Sequence, residues 1–256
     1  MTTSGKIKSD DLRRFVKAEI SPRMGSEWVY LPREISFIRF GGYSIQEIAF
    51  SEFQHAPRFR VYYALQSLAI PERFLHVTIG NTLKGRSGKK LFGLIRQQPR
   101  EAWFNWDTRL ENVNYIMGLI SEQVEPPINQ PLTPKMAFDY IDKNYLKKEN
   151  RNPVSLWMAG VLLGELGRFT EARQLLSKTV NLYEECLRQG AELVKAKKLP
   201  EEAYLRDITK CEQARETLTA ASGAESFTKH CQKVAEENIK TLNLETAVDH
   251  LNYRFI

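Results

Sequence analysis

The hydrophobic pattern changes its period partway along the chain, and that change limits the fold more than any other feature. Between Trp28 and Gly80, aromatic and β-branched residues tend to alternate with polar ones. A period of two places alternate side chains on opposite faces of a strand. From Thr133 onward, apolar residues recur at three- and four-residue intervals, the signature of helices with one buried face. Pro126, Pro127, Pro131 and Pro134 fall between the two textures. The expected architecture is therefore α+β. An amino-terminal antiparallel sheet with covering helices spans 1–125, a proline-rich linker spans 126–132, and an all-helical domain spans 133–256. A chain of 256 residues is long enough for one large core or two modest ones.

In the first half, strands are expected at Trp28–Leu31, Ile35–Phe40, Tyr43–Phe53, Phe59–Leu68 and Phe74–Ile79. Gly41-Gly42 marks a hairpin turn. Ile35, Phe37 and Arg39 share one strand face, and Phe59, Val61, Tyr63 and Leu65 share another, with Arg60 and Tyr62 opposite. A first helix over Asp10–Glu19 offers Leu12, Phe15 and Val16 to the sheet. A second helix offers Leu110, Val113, Met117 and Ile120.

The second half carries two explicit start signals, Thr133-Pro134 and Asn152-Pro153. A polar side chain before a first-turn proline can accept a free backbone N–H while the proline forfeits none. Helices are expected over 134–147, over 153–166, and from about Thr170 to Leu199, where Gly190 is a candidate interruption. Another begins at Pro200, and a last one begins near Glu225 beyond the Ser222-Gly223 break.

Leu156, Ala159, Gly160, Leu163, Gly167, Phe169, Ala172, Leu176 and Val180 occupy the small and large packing positions of a helix pair. Residues 153–186 resemble one tetratricopeptide-type repeat on this pattern. The resemblance implies close helix packing and, more remotely, a protein-binding groove. The strand segments Phe37-Ile38-Arg39-Phe40, Phe59-Arg60-Val61-Tyr62 and Leu75-His76-Val77-Thr78 follow an initial helix. In this the amino-terminal part resembles small bacterial α+β proteins of unassigned function, some of which occur beside toxins as immunity proteins. That resemblance implies a protein partner and brings no catalytic motif.

Charge and cysteine usage narrow the function classes. The formal net charge is +6, and residues 1–125 carry most of it, with 18 Lys and Arg against 13 Asp and Glu. A modest basic excess suits an acidic partner, nucleic acid or simple solubility. Three widely spaced cysteines, Cys186, Cys211 and Cys231, form no disulfide framework and no C-x-x-C pair, which fits a reducing, cytoplasmic setting. His55, His76, His230 and His250 show no metal-ligand spacing, and the Walker and Rossmann glycine patterns are absent. No cofactor or metal is expected, and no transmembrane association.

The densest candidate site is a basic and aromatic stretch over 84–106. Lys84, Arg86, Lys89, Lys90, Arg96 and Arg100 follow one another without an intervening acid, and Trp103 and Trp106 come next. Three function classes remain open on the sequence. The leading one is a protein-interaction module, with an immunity protein that occludes a toxin as its sharper form. The second is nucleic-acid binding, with Arg and Lys on phosphate and tryptophans stacking on bases. The third is an enzyme whose groups, for example His76, Glu101 and Asp107, meet only in the fold. No catalytic residue is assigned, and the sequence leaves the oligomeric state open.

Overall fold

The computed structural model describes residues 7–71, 79–85, 100–147 and 152–255. It shows an α+β chain, with an antiparallel sheet first and helices after it. The chain divides into two units. The first contains Met1–Phe40, Ile45–Leu65 and Ile79–Leu132; the second contains Gly41–Ser44, Gln66–Thr78 and Thr133–Ile256. Among the described residues, no helix is long and apolar enough to cross a membrane.

The sheet is built from β1 (Val29–Leu31), β2 (Ser36–Gly41), β3 (Ser44–Glu52), β4 (Arg58–Ser67) and β5 (Ile79–Thr82), in that order. A small ladder pairs β6 (Lys84–Gly85) with β7 (Arg100–Glu101), and β8 (Trp103–Asn105) pairs antiparallel with β4. β1 to β4 follow the expected segments; β5 begins at Ile79, the end of the expected strand whose Phe74–Thr78 part lies outside the described residues, and β6, β7 and β8 match no expected strand. Ile35 departs from expectation. It sits before β2 with φ at 50°, a left-handed conformation that a β-branched residue adopts only under strain. Its side chain is nonetheless buried, so packing holds it there.

Two helices cover one sheet face. α1 (Ser9–Phe15) runs on into a wider π turn over Val16–Ile20, and α2 (Val113–Gln123) follows the last strand. Phe15 packs against Phe59 at 5.7 Å, and Phe59 against Phe104 at 5.4 Å, forming an aromatic core beneath them. The buried face of α2 is Val113, Ile116, Leu119 and Ile120. Leu110, expected on that face, is 60% exposed because it precedes the helix. The apolar spacing thus begins one turn before the helix does.

The proline-rich stretch 126–132 is held by Arg39, a strand residue only 1% exposed. Its Nη1 donates to the carbonyls of Gln130 at 2.6 Å and Ile128 at 3.2 Å, and its Nη2 to that of Pro127 at 2.7 Å. Its Nε donates to Gln46 Oε1 at 2.7 Å, and Gln46 Nε2 in turn donates to the Pro126 carbonyl at 2.7 Å. Trp28 lies under the guanidinium, its ring centre 4.8 Å away. Pro126, Pro127 and Pro131 lack an N–H, so the segment offers more carbonyls than donors. A buried guanidinium, with five donors, supplies what those carbonyls need.

In the second unit the two start signals act as expected. Thr133 Oγ1 accepts the Met136 N–H at the start of α3 (Pro134–Ile141), and Asn152 Oδ1 accepts the Val154 N–H at the start of α4 (Pro153–Glu165). α3 continues as a π turn over Asp142–Leu146. Then come α5 (Phe169–Lys195), α6 (Glu201–Ala220), α7 (Ala224–Thr241) and the short α8 (Glu245–His250). α4 and α5 pack closely because Gly160 has no Cβ. One built there would sit 2.8 Å from Leu176 Cγ and 3.4 Å from the Ala172 carbonyl. Gly190 does not interrupt α5; the ring of Tyr204 occupies the space beside it.

Candidate functional site

The pairing of β4 with β8 decides which way the aromatic residues near the candidate stretch point. Phe59 is opposite Phe104, and Arg60 is opposite Trp103. Directly opposed residues project to the same face, so each pair acts as a unit. The Phe59–Phe104 pair enters the core. The Arg60–Trp103 pair emerges on the other face, with the guanidinium 5.4 Å from the Trp103 ring centre.

The turn between β3 and β4 supplies the rest of the site. Phe53 N–H donates to the Arg58 carbonyl at 2.8 Å, which closes the turn and fixes Phe53 at its rim. The Phe53 ring meets Trp103 edge-on at 5.0 Å and His55 at 5.7 Å. A hollow of about 330 Å³ results, lined by Ser51, Glu52, Phe53, Gln54, His55, Arg60 and Trp103. Phe53 is 37% exposed, so its ring is open to a partner at the rim.

Cations and carboxylates stand together around this hollow. Arg60 forms an ion pair with Glu101 at 3.6 Å. Lys84 is the cross-strand partner of Glu101 in the β6–β7 ladder. Glu52 accepts the Ser9 hydroxyl at 2.6 Å.

The expected site residues are distributed as follows. Trp103 is half-buried and lines the hollow. Trp106 points to the opposite face, where it packs on Phe15 at 5.8 Å and carries the Arg109 guanidinium at 4.1 Å. Lys84 is exposed, and its backbone N–H and carbonyl each bond the Gln123 side chain at 2.7 Å. Arg100 contributes backbone to β7. Its side chain, together with Arg86, Lys89, Lys90 and Arg96, lies outside the described residues, as does His76. Sequence reasoning misses Phe53, His55 and Arg60 as site residues. The available signal is a large aromatic, Phe53, in a turn closed by Pro57, where solvation ordinarily favours small polar residues.

Two buried carboxylates have shifted acidities. Burial pushes Glu47, on β3, up to about 7, against the lowering effect of the Ser36 hydroxyl. Burial likewise pushes Glu165, at the end of α4, up to about 7, opposed by the Tyr43 N–H that donates to its Oε1 at 3.0 Å. Neither lines the hollow around Trp103. Among the described residues, no three His, Cys, Asp or Glu side chains cluster to hold a metal ion. No family model matches the chain, and no curated protein or solved structure is significantly similar to it.

Proposed function

We propose that the chain is a protein-binding module that docks a partner at the hollow around Trp103. The observation that carries this reading is the gathering of Trp103, Arg60 and Phe53 from separate segments into one half-exposed concave site. Tryptophan and arginine are the residue types that most often anchor protein interfaces, and they do so in pockets rimmed by polar groups. Here the anchor is held in place before binding. Phe53 fixes one edge of the indole and Arg60 covers a face, so little side-chain freedom remains to be lost.

The carboxylates at the hollow favour a protein over a nucleic acid. A phosphate chain crossing this hollow would meet Glu52 and Glu101 beside the cations it needs. A protein surface can present both signs. The resemblance of the amino-terminal part to immunity-associated proteins sharpens this reading to an immunity protein that occludes a toxin.

The test is capture of bound material from native lysate by the full chain and by Trp103→Ala, with and without nuclease, at low and high salt. A stoichiometric protein that survives nuclease and is lost with Trp103→Ala supports the reading. Truncating such an anchor should cost about 2 kcal/mol, roughly thirtyfold in affinity. Recovery of salt-labile, nuclease-sensitive nucleic acid overturns it, and so does a partner held equally by both chains.

A further inference from the structure

A second hollow, in the second unit, has a different chemistry. It is a groove of about 750 Å³ lined by Phe169, Thr170, Arg173, Gln174, Ser177, Lys178, Ala221 and Ser222. Five of these lie on α5 at 170, 173, 174, 177 and 178, the spacing of a single helical stripe. A stripe that faces another part of its own fold is ordinarily apolar. This one is polar throughout and carries two cations.

Those cations are uncompensated. Among the described residues, neither Arg173 nor Lys178 is paired with a carboxylate. Many surface cations of the same helices are: Arg168 with Glu171, Lys195 with Glu192, Arg215 with Glu184 and Lys229 with Glu225. No acidic residue lines the groove. Its floor is apolar and fixed, because Ala221 is fully buried and Phe169 meets Phe227 edge-on at 5.9 Å.

We propose that this groove binds an extended acidic peptide segment, with two carboxylates answering Arg173 and Lys178. The spacing selects a peptide rather than a single anion. Five residues along a helix separate the two positions by about 7.5 Å along its axis and by about 140° around it, so they stand on the two flanks of the stripe. A segment lying across the stripe, with acidic residues a few positions apart, brings one carboxylate to each cation. Gln174 and Ser177 lie between the cations and offer donors and acceptors to the intervening backbone. This site is separate from the Trp103 hollow and does not depend on it.

The experiment titrates the full chain into a labelled short peptide of alternating glutamate and serine, and into its glutamine counterpart. The glutamate peptide should bind at about 50 mM salt and weaken steeply toward about 500 mM, and the glutamine peptide should not bind. Arg173→Gln with Lys178→Gln should lower affinity by about tenfold or more, while Trp103→Ala leaves it unchanged. Both substituted positions are exposed, so the double variant should unfold at the wild-type temperature. Equal binding of the two peptides, equal binding by the double variant, or no binding at low salt overturns the proposal. Displacement of the peptide by a single-stranded oligonucleotide that binds more tightly also overturns it. Failure here leaves the Trp103 reading intact, and loss of a captured partner with Trp103→Ala leaves this one intact.

Discussion

Arg39 in the first unit and Glu165 in the second are both ionisable groups removed from water, but they are treated in opposite ways. Arg39 has all three nitrogens engaged, by carbonyls of 127–130 and by Gln46. Burial lowers its pKa only to about 10, so it keeps its charge at neutral pH. Glu165 has one oxygen on the Tyr43 N–H, while its Oε2 has no hydrogen-bond partner among the described residues. It also lies at the carboxyl end of α4, where the helix dipole disfavours negative charge. One buried group is saturated and fixes a segment. The other is half-satisfied and titrates near neutrality.

The largest effect should come from breaking the saturated anchor. Arg39→Ala orphans the carbonyls of 127–130 and the Gln46 amide oxygen together. We expect a loss of about 3–5 kcal/mol, read by urea denaturation. Arg39→Lys should recover little of it, since an ammonium cannot present donors in a planar fork. A loss under about 1 kcal/mol for Arg39→Ala would show that water replaces the guanidinium and that the anchor is dispensable.

Glu165 should reveal itself through pH. Its folded pKa, about 7, lies above the usual 4.5. The sign follows from linkage: stability is fully present below about 4.5 and is lost as pH rises through 7. The wild type should therefore be more stable at about pH 5 than at about pH 8, with up to about 3 kcal/mol from this residue. Glu47 works in the same direction over the same window, being held at about 7 by its own burial. Glu165→Gln should remove one part of the slope and Glu47→Gln the other. Arg39 adds nothing in that range, because its charge is lost only near pH 10. A flat profile from about pH 5 to 8 in the wild type would mean that both carboxylates are better solvated than their burial implies.

These contrasts also separate what the sequence disclosed from what it hid. Local signals were legible. Thr133-Pro134 and Asn152-Pro153 gave helix starts because the capping bond joins residues two or three apart. Gly160 and Leu176 were legible as a packed pair because their helices adjoin in sequence. The Trp103 hollow was half legible. The tryptophan stood out, but Arg60 and Phe53 reach it only through the register of β4 against β8 and the closure of the turn before it. The role of Arg39 was hidden, since its carbonyl partners lie 87 to 91 residues away and carry no residue-type signature. Alternation placed Arg39 on a face with Phe37 and could go no further. The α5 groove was hidden for another reason: a polar helical stripe reads as solvent-facing until the α6–α7 turn is seen beside it.

Two helical glycines carry the comparison down to single methyl groups. Gly160 in the second unit sits against Leu176, so Gly160→Ala forces a contact of 2.8 Å onto a buried side chain that fills its site. That should cost about 1–3 kcal/mol despite the better helix propensity of alanine. Gly118 in α2 of the first unit is exposed, and a Cβ there would meet nothing within 4 Å. With no contact to lose, Gly118→Ala should act through the unfolded chain and through helix propensity alone, stabilising by about 0.5–1 kcal/mol. Thermal unfolding of the two variants should therefore move in opposite directions. If Gly118→Ala destabilises instead, its open face is covered by something that the free chain's surface does not reveal, and α2 becomes part of a binding surface. If Gly160→Ala is neutral, α4 and α5 have slack between them, and the close approach that the sequence announces is not what holds the pair together.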